Sequence, residues 1–322
     1  MAALAREPIS YEATKVNRAT CKFLASLLTV VWISNFSNSF GQTSIQDQDL
    51  KLGFTQGIFV DVNFSDAKAA AKVWSQGLMH KRGMRGVADA IIYEEIASMM
   101  LAVERREVDM VTMLAKEYLE LEGKMQIEPR FLTTRRGRIT ESSLLLAHRL
   151  SGIRAIEDLR GKSVILAGDA RASIARIWLT NLVMDEGFSS LNDFFGKTSE
   201  ATKYSHTVLP VFFRQADACL VPKAGFETMS ELNPQLGKDL QIIKESPAFL
   251  SSVLCFRRDY SSRQVLMDAL RDLHAEPAGQ QLLTMFRVDK LVSYDDSYLN
   301  SARETLNHRA AKGSRGLQSA AR

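Results

Sequence analysis

Apolar positions along the chain alternate between two periods. Leu50–Phe54 (LKLGF) reads as a strand, and Ala67–His80 (AKAAAKVWSQGLMH) recurs at helical spacing with Ser65 or Asp66 placed to cap it. Asp89–Tyr93 (DAIIY) reads as a second strand, Ile96–Arg106 as a helix and Val108–Leu114 (VDMVTML) as a third strand. Further on, Ser143–His148 is strand-like, and Lys162–Ala167 (KSVILA) is the continuous apolar run of a buried parallel strand. Ser173–Met184 follows with apolar residues at 174, 177, 178, 179 and 182, a stripe suited to packing on a sheet. Val208–Phe213, Asp217–Val221 and Leu240–Lys244 read as shorter strands or helix ends. Strands alternating with helices imply βαβ units and an α/β protein with parallel sheets. Ala302–Arg322 is polar, has no apolar stripe after Leu306 and reads as a flexible tail over 301–322.

Length divides this pattern. The chain has 322 residues, 46% of them hydrophobic and 24% charged, and a single core stops growing at about 250–300 residues. Two lobes are therefore expected. The formal charge is +4, with acidic and basic residues interspersed. The basic stretch Arg130, Arg135, Arg136, Arg138 is short and has few aromatic partners, so no nucleic-acid face is expected.

The N-terminus reads as an address. Residues 1–22 carry Arg6, Lys15, Arg18 and Lys22, followed by the uncharged run Phe23–Ile33 and then polar SNFSNSFGQ. That run is too short for a bilayer, which takes about 20 residues. A basic lead, a short apolar core and small residues are the parts of a secretory signal, with the cut expected between Gly41 and Gln42. The competing reading is an uncleaved membrane anchor. Cys21 precedes the apolar run and is badly placed for a lipid anchor. Cys219 and Cys255 lie in apolar strand-like runs without CxxC spacing, which suits buried thiols.

Several chemistries lack their residues. The five His (80, 148, 206, 274, 308) are far apart, so no metal site is expected. No GxSxG elbow, GxxxxGK[ST] loop or GxGxxG loop occurs, so neither a catalytic set nor a cofactor is expected. Met99, Met100, Met110 and Met113 read as core packing.

An ordered set of segments is more telling than any one motif. LGFTQGIFVDVNFSDAKAAAKVW is followed by ADAIIYEEIASMMLAVERREVDMVTML, then SGIRAIEDLRGKSVILAGDARASIARIWL, FFRQADACLV and MSELNPQLGKDLQIIKESP. From about Leu50 to Tyr260 the chain resembles the phosphonate- and phosphate-binding components of periplasmic ABC transporters. The resemblance implies a two-lobed type II periplasmic-binding-protein fold, each lobe a mostly parallel sheet flanked by helices, joined by a two-segment hinge. It implies a first lobe of residues 42–140 plus 245–300 and a second of 141–244, after a signal peptide of 1–41. It also implies a monomeric periplasmic receptor, not an enzyme, that passes a small anionic solute to a membrane ABC permease. The same clamp can serve a membrane sensor kinase, and some relatives of the fold are cytoplasmic enzymes of pyrimidine-precursor synthesis, which the export signal argues against.

Candidate ligand residues follow from position. Gly168–Ser173 (GDARAS) joins a buried strand to a helix N-terminus, where free N–H groups and the helix dipole attract anions. Gly168 permits close approach, Ser173 offers a hydroxyl, and Arg171 a bidentate guanidinium. The plainer readings are an N-cap for Ser173 and a solvated Arg171. Thr55 and Gln56 follow the first strand, at the edge where α/β sheets bind ligands, or simply make its turn. By the resemblance, Tyr93 takes an aromatic or polar ligand position and Asp217 an acidic one that meets cationic groups in some members; a core tyrosine and a strand-edge residue are the alternatives. Lys223 and Glu227 are further candidates. Phosphonate binders carry several Ser or Thr hydroxyls at the turn where this chain has Ala170, Arg171 and Ala172 around a single Ser. Carboxylates and sulfonates therefore compete with phosphonate as ligands.

Overall fold

The computed structural model describes residues 49–59 and 62–308; the expected leader 1–41 and tail residues 309–322 lie outside the described residues. In chain order the strands are β1 (Leu50–Thr55), β2 (Ala88–Tyr93), β3 (Met110–Leu114), β4 (Ile127–Thr134), β5 (Thr140–Glu141) and β6 (Ser143–His148). They continue with β7 (Ser163–Ala167), β8 (Lys197–Ala201), β9 (Ala218–Pro222), β10 (Leu240–Glu245), β11 (Phe249–Leu250), β12 (Ser252–Arg257) and β13 (Lys290–Ser293). The helices are α1 (Phe64–Lys81), α2 (Ile96–Glu104), α3 (Ala115–Leu121), α4 (Ser173–Asp185), α5 (Leu191–Phe194), α6 (Tyr204–Phe212), α7 (Lys223–Leu232), α8 (Pro234–Asp239), α9 (Arg263–Arg271) and α10 (Pro277–Met285).

Two sheets result, one ordered β13-β4-β12-β3-β1-β2 and the other β10-β6-β9-β7-β8. The chain passes between them twice, through 135–142 and 246–251, and the passages pair with each other as β5 and β11. In each sheet the strand that follows a passage runs against its neighbours: β6 is antiparallel to β9 and β10, and β12 to β3 and β4. A chain arriving from the other sheet enters at the edge where βα units finish their strands, so it can only run the opposite way. The pairing is therefore mixed, while β1–β3 and β7–β9 keep the parallel pairing of βα units.

Burial follows the patterns in the sequence. On α1, Ala67, Ala71, Trp74 and Met79 are buried against Leu52 and Phe54 of β1 and the apolar faces of α9 and α10. A second cluster joins Val111, Met113 and Cys255 of the first sheet to Leu145, Leu166 and Leu220 of the second. The far face of the second sheet packs on α6 and α7. Cys219 and Cys255 are buried free thiols, on different sheets.

Local readings need three corrections. The cap of α1 is Asn63, whose Oδ1 accepts from the N–H groups of Ser65 (2.8 Å) and Asp66 (3.2 Å); neither Ser65 nor Asp66 is the cap. Of the two readings of 208–213 the helix end holds, since these residues close α6. β4 and β8 have no counterpart in the sequence reading, while β12 contains the strand-like run around Cys255. The tail expected from 301 begins as a helix over 300–308, with Ala302 and Thr305 buried. Thr305 holds this helix to α4, its carbonyl accepting from Asn181 Nδ2 at 2.8 Å.

Candidate ligand-binding site

The C-terminal ends of β1 and β7 approach one another. The turn 56–58 that leaves β1 lies against the turn 170–172 that leaves β7. This brings Thr55 and Gln56 of one sheet to Gly168, Arg171 and Ser173 of the other. Gln56 is exposed, whereas Thr55 is buried and donates through Oγ1 to Glu117 Oε2 at 2.7 Å. The same carboxylate oxygen accepts the Leu114 N–H at 2.8 Å. Thr55 thereby fixes the start of α3.

The turn after β7 is organised by Asp169, a residue the sequence reading passed over. Its side chain is only 3% exposed. Oδ1 accepts from the Arg171 N–H (2.9 Å), and both oxygens take Arg171 Nε at 3.2 Å. Oδ2 also accepts from Arg171 Nη2 and from the Tyr204 hydroxyl, each at 2.9 Å. A carboxylate bonding a backbone N–H two residues on is the ordinary Asx turn; here it also captures a guanidinium. Burial alone would raise the Asp169 carboxyl, but the Arg171 hydrogen bonds and charge outweigh it and hold it below the usual carboxylate range. Burial and the Asp169 charge push the Tyr204 hydroxyl up.

Arg135 completes the group. It leaves the end of β4 at the first passage, and Nη1 donates to the Arg287 carbonyl at 2.9 Å. Its Nε is buried and has no hydrogen-bond partner among the described residues. Burial and then the like charge of Arg171 lower its guanidinium to about 10, against the pull of Asp169 and Tyr204. Next along the chain, Arg136 Nη1 donates to the Ala224 carbonyl at 2.8 Å and Arg138 pairs with Glu227 at 3.2 Å. Glu227 thus ties the passage to α7. Lys223 pairs with Glu245 at 3.0 Å where β9 and β10 end.

Tyr93 and Asp217 take the places of their alternative readings, a partly buried tyrosine and a strand-edge residue, while Ser173 is not the cap of α4. Ser173 is the first residue of α4 and not its cap, and its hydroxyl bonds no other described residue. Tyr93 is half-buried at the end of β2 with its ring over Gly53, where a Cβ would meet the ring at 3.2 Å and Val108 at 2.8 Å. The ring thus fills a gap in the sheet surface; burial and then Glu107 push its hydroxyl up. Asp217 stands just before β9 and accepts from the Ser163 N–H (2.8 Å) and hydroxyl (2.7 Å), at the start of β7. Gly168 and Arg171 follow the other end of that strand, so Asp217 holds a strand edge and lies apart from the group. Gly168 itself is exposed and bonds the Ala201 carbonyl at 2.9 Å.

Two signals could have revealed the missed residues. GDARAS places Asp two residues before Arg after a buried strand, an Asx-turn signature. Gly225 in the first turn of α7 lies under the Tyr204 ring, where a Cβ would stand 2.6 Å from Cδ2. Among the described residues no group of three His, Cys, Asp or Glu side chains could hold a metal, and no helix is long and apolar enough to cross a membrane.

Two sheets joined by two chain passages, with clustered guanidinium groups where their strand ends meet, define a two-lobed binding protein. The sequence profile of the phosphonate periplasmic substrate-binding proteins of ABC transporters matches residues 58–299, and the chain belongs to that family. No curated protein matches in sequence. Among solved structures, XAC2383 from Xanthomonas citri bound to ATP is similar with a TM-score of 0.62 and 15% identity over 82% of this chain and 98% of that one. A binding-protein component of an ABC phosphonate transporter from Pseudomonas aeruginosa gives a TM-score of 0.53 and 18% identity, covering 81% and 86%. PhnD1 from Prochlorococcus marinus in complex with methylphosphonate gives 0.54 and 13%, covering 82% and 98%. The family is one of substrate-binding components, not of enzymes.

Proposed function

We propose that this protein captures a small oxyanion-bearing solute and delivers it to an ABC permease, and that the oxyanion is held by Arg171 and Arg135. The carrying observation is the set of donors gathered on Asp169: the Arg171 guanidinium, the Arg171 N–H and the Tyr204 hydroxyl already bind one carboxylate there. The same donors suit a phosphonate, phosphate, sulfonate or carboxylate oxygen. Methylphosphonate with PhnD1 and ATP with XAC2383 are phosphorus oxyanions on the same fold, which supports the phosphorus side of that range. Gln56 and the Ser173 hydroxyl are the uncommitted polar groups beside the turn, and Thr55 and Gly168 shape its walls. Export belongs to the same proposal, with 1–41 as signal peptide, 42–140 plus 245–300 and 141–244 as the lobes, and a monomer as the working form.

The test is thermal unfolding of the purified chain against phosphate, phosphite, methylphosphonate, 2-aminoethylphosphonate, short sulfonates and small carboxylates. A ligand that binds the folded state alone raises the melting temperature, by about 2.7 kcal/mol of stability at a hundredfold excess over Kd. A shift with one oxyanion class, lost in Arg171→Ala, is the expected result. No shift with any oxyanion overturns the proposal.

A further inference from the structure

Arg135 belongs to two environments. On one side it stands in the field of Asp169, Arg171 and Tyr204. On the other it lines a cavity of about 70 Å³ between the first sheet and α1, α9 and α10. The walls are apolar: Leu52, Phe54, Ile58, Trp74 and Phe286 are among them. Arg135 directly follows β4 and Ile58 ends the turn that leaves β1, so the cavity reaches the strand ends where the guanidinium groups gather.

The few polar groups inside are not used up. Thr133 Oγ1 and Ser252 Oγ bond each other at 2.9 Å, buried on neighbouring strands. Two hydroxyls joined by one bond leave one O–H donor over. The buried Nε of Arg135 has no partner among the described residues. Native interiors rarely hold voids much larger than one water, and an apolar cavity of about 150 Å³ takes up benzene. A space of about 70 Å³ is roughly half that, room for roughly two or three groups the size of a water at about 30 Å³ each. A short unbranched chain fits it; a ring does not.

We infer that the solute is a short-chain alkyl oxyanion, whose acid group meets Arg135 and Arg171 while its two- to three-carbon chain enters this cavity. The inference rests on the oxyanion reading above and adds the part of the ligand that reading leaves open. Arg135 sits at the junction between head and tail, which explains why one guanidinium is shared between a polar turn and an apolar wall.

The experiment is calorimetric titration of the full chain with phosphate and with methyl-, ethyl-, propyl-, butyl- and hexylphosphonate, repeated with Thr112→Leu, which fills the cavity from β3. Each methylene that enters the cavity is expected to tighten binding about fourfold, until the space is full near propyl. In Thr112→Leu this dependence on chain length disappears. A second readout needs no variant: the heat-capacity change of binding to the wild-type chain grows more negative with each buried methylene. Binding of phosphonates with affinity that is flat or falling from methyl to propyl overturns the inference and leaves the oxyanion reading standing. Binding of none of them overturns the inference, and the oxyanion reading falls with it only where the sulfonates and carboxylates of the melting panel also give no shift.

Discussion

Replacing Asp169 by Asn should lower stability and raise affinity for oxyanions at once. The substitution keeps the shape and one acceptor for the Arg171 N–H, but removes the charge that holds Nε and Nη2 of Arg171 and the Tyr204 hydroxyl. Removing one partner of a buried pair costs about 3–5 kcal/mol. Here the Arg171 side chain keeps 15% of its surface exposed, so water replaces part of the loss, and about 2–3 kcal/mol is the working figure. For a chain of this size each kcal/mol moves the melting temperature by about 2–4 °C, so a fall of about 4–12 °C is expected in a calorimetric scan. Affinity moves the other way. Asp169 repels an incoming anion and occupies Arg171. Unit charges about 4 Å apart interact by about 4 kcal/mol at an effective dielectric of 20. A third of that is already tenfold in Kd, so at least tenfold tighter binding is expected by titration calorimetry, with a melting temperature that bound oxyanion restores. A destabilised variant whose oxyanion affinity is unchanged or weaker would refute the reasoning, because Asp169 would then be aiming Arg171 rather than competing for it.

Other expectations are more local. The Asp169 carboxyl lies below its ordinary value in the folded chain, so its contribution is fully present above the unfolded value of about 3.9 and is lost as pH falls through the folded value. Melting temperature measured from pH 7 down to pH 2 should therefore show an acid limb that is shallower in Asp169→Asn; identical limbs would count against the pairing. Gly225→Ala drives a Cβ to 2.6 Å from the Tyr204 ring and should destabilise by about 1–3 kcal/mol, seen as a lower midpoint in urea, while Gly77→Ala, with open space around it, should not lower it. Asp217→Ala removes the acceptor for Ser163 and should lose about 1–2 kcal/mol. It should leave oxyanion affinity within twofold, because the five residues of β7 span about 16 Å between it and the Arg171 turn; a larger loss of affinity would bring Asp217 back into the site.

The βα units were legible because each carries its own period. Leu50–Phe54, Ser143–His148 and Ser173–Met184 fall within one residue of β1, β6 and α4. What escaped notice depends on the other sheet. β4 contains Pro129, which argues against an interior strand, yet it lies between β12 and β13 because the register shifts beside Pro129, where Leu254 faces Phe131 and Cys255 faces Pro129. The run around Cys255 in β12 reads as a strand, but β12 follows the second passage, and nothing local says where it will insert. The site shows the same division. Gly168, Arg171 and Ser173 were readable from one turn, while Tyr204 and Arg135 reach that turn from α6 and β4 and could be found only once the sheets were assembled. Asp169 stood in the quoted segment, but its burial and its hold on Arg171 depend on Tyr204.

The helix over 300–308 changes the mechanics of the molecule. Arg303 bonds Glu122 just after α3 and Asp296 after β13, at 2.6 and 2.7 Å, while Thr305 and His308 hold Asn181 and Asp185 of α4. A body carried on two neighbouring passages can rock freely about the line joining them. A third anchor away from that line opposes such rocking, and Arg303 makes its contribution through two carboxylates at once. The helix over 300–308 is therefore a third tie between the two sheets, and its Arg303 ion pairs are the part of that tie that salt weakens.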